Sequence, residues 1–416
     1  MTKKLRFITG FILFVFYCLH SGRALAVSLE DCKARSLKNS DLITAYENLI
    51  KSSIYFNRKD EGSLFPQLTA FYQPDYIQFG DRSDLARTHG YETRAGSVLS
   101  LDLQKILTDY PNLSRLEVGR NKLFKSIAEN EILKDATQNY YRLYILLRKK
   151  KDYLDTYDFF QMHIKTIQQL QSKGLDVALD LNRAHVQLES LSISLKNIDN
   201  EINDVLIGFN AMMGTSYKEA DFSVMNAPDM NISHFSLQNY SSLEQSQLDK
   251  VDVNIAKETL EQSRFYYLPT IQLGLEHNTQ TVDPNVEEYR TFLALNFNVF
   301  DFGQKANERK QLKYKYEYQK NLFKENQKKL KARIEQMIND VNSLQAIYTN
   351  SLGNLCDAKK SVEIAKSYYQ QGKIKETDLL SVFSDYLAAK DQSYGALYNF
   401  LGKKAELEAT FKEPDQ

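Results

Sequence analysis

Tryptophan is absent from the 416 residues, and cysteine, proline and glycine are scarce, at 3, 7 and 16. Three cysteines are too few for a disulfide scaffold. So little Gly and Pro leaves few points where a helix must stop, which favours long uninterrupted elements. The same scarcity, beside 12% aromatic residues, excludes a disordered or collagen-like chain. A charge excess is also lacking, since 53 basic residues balance 53 acidic ones. A nucleic-acid binder needs a basic surplus to neutralise phosphates, so that class drops out. His20, His89, His163, His185, His234 and His277 are dispersed, with no paired ligand spacing. Phosphate loops and nucleophile elbows are missing. The expectation is therefore a chain that is not an enzyme and needs no metal or cofactor.

What is present begins with the amino terminus. Lys3, Lys4 and Arg6 precede an apolar run from Phe7 to Leu19, and Ala24-Leu25-Ala26 gives a small-x-small pattern. Residues 1–26 read as a secretory signal, because the apolar run is short for a spanning helix. Removing Lys3, Lys4, Arg6 and Arg23, with no acid among these residues, leaves 49 basic and 53 acidic, a net of −4. The exported chain keeps Cys32 and Cys356, whose pairing the sequence leaves open. Beyond residue 26 no stretch approaches the roughly 18 apolar residues of a spanning helix. An exported protein that crosses a membrane without such a helix must do so as a closed β-barrel.

One plan is written twice. Each half reads as helix, strand, loop, strand, long helix, turn, helix. In the first half (27–213) these are a helix over 30–57, a β-hairpin over 64–103, a long helix over 116–173, and a helix from Gly174 to 213. A linker covers 214–240. In the second half (241–416) they are a helix over 241–266, a β-hairpin over 268–300, a long helix over 304–371, and a helix from Gly372 to 410. Pro66 and Pro269 lie 203 residues apart, and Gly174…Asp180-Leu181 repeats as Gly372…Asp378-Leu379 at an offset of 198. At 1.5 Å per residue the long helices would reach about 87 and 100 Å, longer than one globular core needs. Two short helices end to end would match one long neighbour, making a wall of four rods per chain. Heptad-like positions such as Tyr140, Leu147 and Leu154, beside Ala136, Leu143 and Tyr157, predict antiparallel coiled-coil packing.

The strands alternate. Thr291, Leu293, Leu295, Phe297 and Val299 interleave with Phe292, Ala294, Asn296, Asn298 and Phe300. Ile271, Leu273 and Leu275 interleave with Thr270, Gln272, Gly274 and Glu276; Leu99, Leu101 and Leu103 with Ser100 and Asp102. The segment at Pro66 is weaker, with Leu64, Leu68, Ala70 and Tyr72 on one side. A tilted membrane strand and a half-buried soluble strand alternate identically, so periodicity alone leaves both open. Four strands cannot close a membrane barrel, whose smallest form has about eight, so a membrane reading requires several copies.

Certain segments are similar to the TolC-type outer-membrane efflux protein family. Leu293-Ala-Leu-Asn-Phe-Asn-Val-Phe-Asp301-Phe-Gly303-Gln-Lys-Ala-Asn-Glu-Arg309 resembles the family's strand, its aromatic-Asp-x-Gly turn and the charged helix that follows. Tyr267-Leu268-Pro269 resembles its Pro-led strand, and Tyr369-Gln-Gln-Gly372 through Asp378-Leu379-Leu380 its periplasmic turn. Thr108-Asp109-Tyr110-Pro111 stands where the family often has an Asp-Gly turn, and here the Gly is missing. The resemblance implies a mostly α fold with transmembrane β. Three chains of four strands would form a twelve-stranded barrel in outer-membrane lipid, continued by a periplasmic tunnel of coiled-coil helices. It implies the passive, gated exit duct of a tripartite efflux pump or type I secretion system. The partners would be a periplasmic adaptor (membrane fusion) protein and an inner-membrane transporter.

The same resemblance nominates site residues. Gly174 and Leu175 match the family's tip motif, where the adaptor docks; Gly372 and Lys373 form the second tip, with Lys373 departing from the pattern. Asp378 falls at an acidic position of the tunnel-entrance ring, with Asp180 as its repeat counterpart. Ser381 replaces the ring's second acid. Read from residues alone, Gly174 and Gly372 suit helix reversals and Asp378 suits a first helical turn. A competing function, a soluble periplasmic coiled-coil adaptor, would place one helical hairpin inside a single β region; this chain has two.

Overall fold

The computed structural model describes residues 27–79, 88–173, 177–222, 225, 227–231, 240, 243–280, 287–297 and 300–411. The predicted signal segment, residues 1–26, lies outside them. The elements in chain order are α1 (Leu29–Lys38), α2 (Asp41–Gly62), β1 (Gln67–Phe79), β2 (Thr88–Asp102), the five-residue α3 (Leu103–Leu107), α4 (Asn112–Ser172) and α5 (Ala178–Met213). Then come α6 (Glu244–Gln262), β3 (Thr270–Gln280), β4 (Glu287–Asn296), α7 (Gln304–Gln370) and α8 (Glu376–Phe411). Two compact units result. One holds Thr44–Ile127 and Tyr240–Leu330; the other holds the described residues up to Ile43, Ala128–Asn239 and Lys331 onward.

The first unit carries the sheet, four antiparallel strands in the order β1-β2-β3-β4. Pro66 and Pro269 sit just before β1 and β3, where a missing N–H costs no ladder bond. Register puts Leu68 opposite Leu99, Leu99 opposite Leu273, and Leu273 opposite Leu293. Tyr72, Ala95, His277 and Tyr289 form a second such row. The other face carries Gln67, Ser100, Gln272 and Ala294 in one row, with Asn296 Nδ2 donating to Gln272 Oε1 at 2.9 Å. Two glycines are required here by close approach. A Cβ on Gly96 would stand 2.9 Å from Phe71 Cζ, and one on Gly274 would stand 2.2 Å from the Phe292 ring. Each phenylalanine ring thus occupies the space that its cross-strand glycine leaves.

Helices of this unit pack antiparallel. Glu47 on α2 pairs with Lys125 on α4 (3.0 Å), and Asn57 bonds Ser114 (3.1 Å). Asp252 on α6 forms an ion pair with Arg120, 2.8 Å from its Nε, and Ser246 meets Gln327 on α7.

The second unit is a set of antiparallel helical seams. On α8, Glu376, Leu379, Phe383, Lys390, Ser393, Leu397, Phe400, Lys404 and Leu407 are buried, at steps that sum to heptads. On α4 the buried residues include Ala136, Tyr140, Leu143, Leu146, Tyr153, Thr156, Phe160, His163 and Ile167. The two run antiparallel: Phe160 meets Phe383 with ring centroids 4.9 Å apart, and Tyr153 Oη donates to Asp391 at 2.8 Å. Tyr348 on α7 stacks on Phe400, and Lys150 on α4 reaches Asp199 on α5 at 2.8 Å.

Several expectations need correction. The helix expected over 30–57 is two helices. Ser40 accepts the Ile43 N–H and starts a new helix, while Asn39 turns its amide onto the last carbonyls of α5, Ala211 and Met212. The seam expected through Leu147 and Leu154 slips by one residue to Leu146 and Tyr153, leaving Leu154 exposed. Tyr140 and Leu146 are six residues apart, one short of a heptad, so a strict seven-residue repeat read from residue 140 fails there. The hairpin expected over 64–103 has strands only from Gln67 to Asp102, and β4 ends at Asn296 rather than 300. The pairing of Cys32 and Cys356, which the sequence leaves open, is settled as none: both are free.

Candidate functional site

Two regions bear on function: the sheet surface and the helix ends around Gly372.

The apolar sheet face is exposed. Leu68, Tyr72 and Leu293 are 72%, 70% and 71% accessible, and Leu273, Leu275, Leu295 and Tyr289 are exposed with them. These residues come from β1, β3 and β4 and share one side of the sheet with Leu99 of β2. An exposed apolar surface continuous over four strands is far larger than the scattered apolar residues of an ordinary soluble surface. Strands β1 and β4 have no further partner among the described residues. Phe265, Tyr267, Phe300 and Phe302 lie exposed beside the strand ends, the arrangement of an interfacial girdle. Among the described residues no helix is long and apolar enough to cross a membrane.

The turn from β4 into α7 is set by Asp301. Its carboxylate accepts the Gly303 N–H at 3.0 Å and the Lys305 N–H at 3.2 Å. Phe302 and Gly303 hold φ of 52° and 83°, so the chain turns through the left-handed region before the helix starts.

At the other end of α7 the chain reverses at Gly372, with φ 68°. Its N–H bonds Tyr369 O at 2.9 Å, and the Lys373 N–H bonds Tyr368 O at 2.8 Å. This pair of bonds is the Schellman motif, which needs a residue tolerant of positive φ at the Gly372 position. Lys373 is exposed, with its ammonium over the Tyr368 ring. Asp378 is exposed in the first turn of α8, and its carboxylate accepts the Lys375 N–H at 3.1 Å. Asp180 is half-buried in the first turn of α5, 3.8 Å from Arg183. Gly174 and Leu175 lie outside the described residues.

The structure brings together a cluster that the sequence pattern did not single out. His163 Nε2 sits 3.0 and 2.9 Å from the two carboxylate oxygens of Glu376, with the side chains 6% and 0% exposed. Phe159 stacks parallel on the imidazole at 5.7 Å, and Phe160 and Tyr369 meet it edge-on. Lys366 lies over Phe159 and Phe383, at 4.6 and 5.6 Å from the ring centroids. Burial first, then the charge of Glu376 and a bond to it, then the charge of Asp180, raise the Tyr369 hydroxyl well above the ordinary tyrosine range. Four helices meet in this cluster, α4, α5, α7 and α8, two residues from Asp378. The available signal was a polar residue at a core position on each of two facing seams. Only the fold brings residues 213 positions apart into register.

Glu376 and His163 partner each other, while the Lys366 ammonium pairs with Glu363 at 3.3 Å. Among the described residues no group of ligands could hold a metal ion.

Residues 236–410 match the sequence model of the family described as outer membrane efflux protein. No curated protein sequence matches the chain significantly. Among solved structures, a CusC structure, described in terms of folding and transmembrane channel formation, superposes with a TM-score of 0.80 at 12% identity, covering 93% of this chain and 92% of that one. The Campylobacter jejuni CmeC outer membrane channel gives 0.78 at 14% identity, covering 92% and 85%. The outer membrane protein VceC of Vibrio cholerae gives 0.76 at 12%, covering 91% and 95%.

Proposed function

We infer that this chain, an outer membrane efflux protein of the TolC type by the match of its second half and by its fold, works as a passive outer-membrane exit duct. The observation that carries the reading is the four-stranded sheet with one continuous apolar face exposed and both edges unpaired among the described residues. An open strand edge is not viable in lipid, so the sheet closes with sheets of other copies. We take three copies, as the resemblance implies, giving twelve strands, above the minimum of about eight and even in number. The polar face, with Gln272, Asn296 and Thr69, then lines the barrel. The helices form the periplasmic tunnel, with 27–213 and 241–416 as duplicated halves joined by 214–240.

In this reading the turns at Gly174-Leu175 and Gly372-Lys373 meet a periplasmic adaptor, which links the duct to an inner-membrane transporter of an efflux pump or type I secretion system. Asp378, exposed in the first turn of α8, contributes one carboxylate per chain to a ring at the entrance, and Asp180 stands on the neighbouring helix. A ring of carboxylates attracts and holds cations. Removing it by Asp378→Ala raises single-channel conductance in planar bilayers or reduces block by multivalent cations. Unchanged conductance and block reject the ring. The membrane reading itself is tested by fractionation: the protein needs detergent for extraction and floats with outer membranes. Release by osmotic shock alone contradicts it.

A further inference from the structure

The first unit carries a groove of about 700 Å³ between α6 and α7, and its lining is unusual in charge. Arg264, Lys305, Arg309, Lys310 and Lys313 line it, against two acids, Glu261 and Glu317. Glu261 is already held by Arg264 at 2.7 Å. Lys305 is committed as well, since its ammonium donates to the Tyr266 carbonyl and lies 4.9 Å from the Tyr267 ring centroid. Arg309, Lys310 and Lys313 are exposed, with no carboxylate in ion-pair range among the described residues. Lys305, Arg309 and Lys313 follow one another at four-residue steps along one face of α7. Like charges at that spacing repel and weaken a helix. A stripe of this kind is relieved by an anion that sits against it.

The groove's place in the fold narrows the anion. Tyr267 lines it and stands three residues before β3 starts at Thr270. Lys305 is the second residue of α7, just after the turn from β4. The cations are thus at the end of the apolar sheet face, beside the exposed Phe265, Phe300 and Phe302. Aromatic rings with lysines and arginines reaching past them are what a bilayer interface accommodates, with rings at headgroup level and charges at the phosphates.

We propose that this groove binds the phosphate of an anionic phospholipid headgroup in the leaflet facing the periplasm. Arg309, Lys310 and Lys313 contact the phosphate, and Tyr267 packs against the glycerol end. The proposal rests on the membrane-channel reading above. Its consequence is a fixed height and tilt of the tunnel relative to the bilayer.

The test uses the full-length protein, extracted and purified in detergent, mixed with equimolar phosphatidylglycerol and phosphatidylcholine and examined by native mass spectrometry. The wild type retains phosphatidylglycerol in preference. The triple variant Arg309→Gln/Lys310→Gln/Lys313→Gln loses that preference, by roughly fivefold per cation removed. Circular dichroism and the oligomer mass report that the variant is folded. Arg309→Lys/Lys310→Arg/Lys313→Arg, which keeps the charges, retains the preference. Equal retention of the two lipids by the wild type, or an unchanged preference in the triple variant, overturns the proposal. Displacement of the lipid by millimolar inorganic phosphate also overturns it, in favour of a soluble-anion site. Failure of the wild type to partition with membranes at all contradicts the channel reading instead.

Discussion

Cys32 and Cys356 differ in surroundings, and that difference is measurable. Cys32 is fully buried in α1, and burial, aided by the charge of Asp31, pushes its thiol up to about 12. Cys356 is exposed on α7. The thiolate is the reactive species, so near pH 8 iodoacetamide modifies Cys356 and leaves Cys32 untouched until the protein unfolds. The sign of the shift also fixes a pH effect. A thiol held protonated in the fold stabilises it fully below its unfolded value near 9, and that contribution fades as pH rises toward 12. Peptide mapping after alkylation checks the first point; equal labelling of both cysteines, or a disulfide between them, contradicts it. Gly214 is a second residue fixed by its setting. It has φ 61°, and a Cβ there would stand 2.4 Å from Asn39 Oδ1, the residue that caps α5 and divides α1 from α2.

At the scale of elements, the antiparallel seam between α4 and α8 is interrupted by polar groups that pair across it. His163 meets Glu376 near one end. Farther along, Lys390 approaches Asp152 at 3.5 Å, Tyr394 donates to Asp152, and Lys149 pairs with Asp391 at 3.0 Å. Breaking a buried pair by removing one partner costs about 3–5 kcal/mol, because the other is left without compensation. Glu376→Ala therefore frees the first turns of α8 from α4. Amide hydrogen exchange across residues 376–383 becomes much faster, while exchange near Phe400 stays as it was. Unaltered exchange at 376–383 would mean that aromatic packing alone holds this end.

Much at this scale was legible. Scarce Gly and Pro implied the long helices, alternation located β3 and β4 to within a few residues but not the far ends of β1 and β2, which reach Phe79 and Thr88, and Asp301-Phe302-Gly303 marked a turn. The slipped seam beyond Leu143 was not legible, because Leu143, Tyr144, Ile145, Leu146 and Leu147 are all apolar and hydrophobicity does not mark which of them the seam follows. The break at Asn39 was missed because its cause is a contact with α5, far away in sequence. His163 and Glu376 looked like isolated polar residues until facing helices paired them.

At the scale of the molecule, everything turns on where the apolar sheet face goes. Four strands display leucines and tyrosines in matched rows on one side, and on the other glutamines, serines and asparagines together with Phe71 and Phe292 over their glycines. In the proposed duct the first side faces lipid and the second a water-filled lumen, in a barrel that sister chains complete. Site-directed spin labelling along β4 tests this most directly. In a Cys32→Ser/Cys356→Ser background, single cysteines replace Thr291, Phe292, Leu293, Ala294 and Leu295 in turn, and the labelled protein is reconstituted in lipid. Labels at 291, 293 and 295 are expected to collide with dissolved oxygen, and those at 292 and 294 with a water-soluble nickel chelate. Uniform access to the nickel chelate along the strand, or the opposite alternation, would contradict that placement.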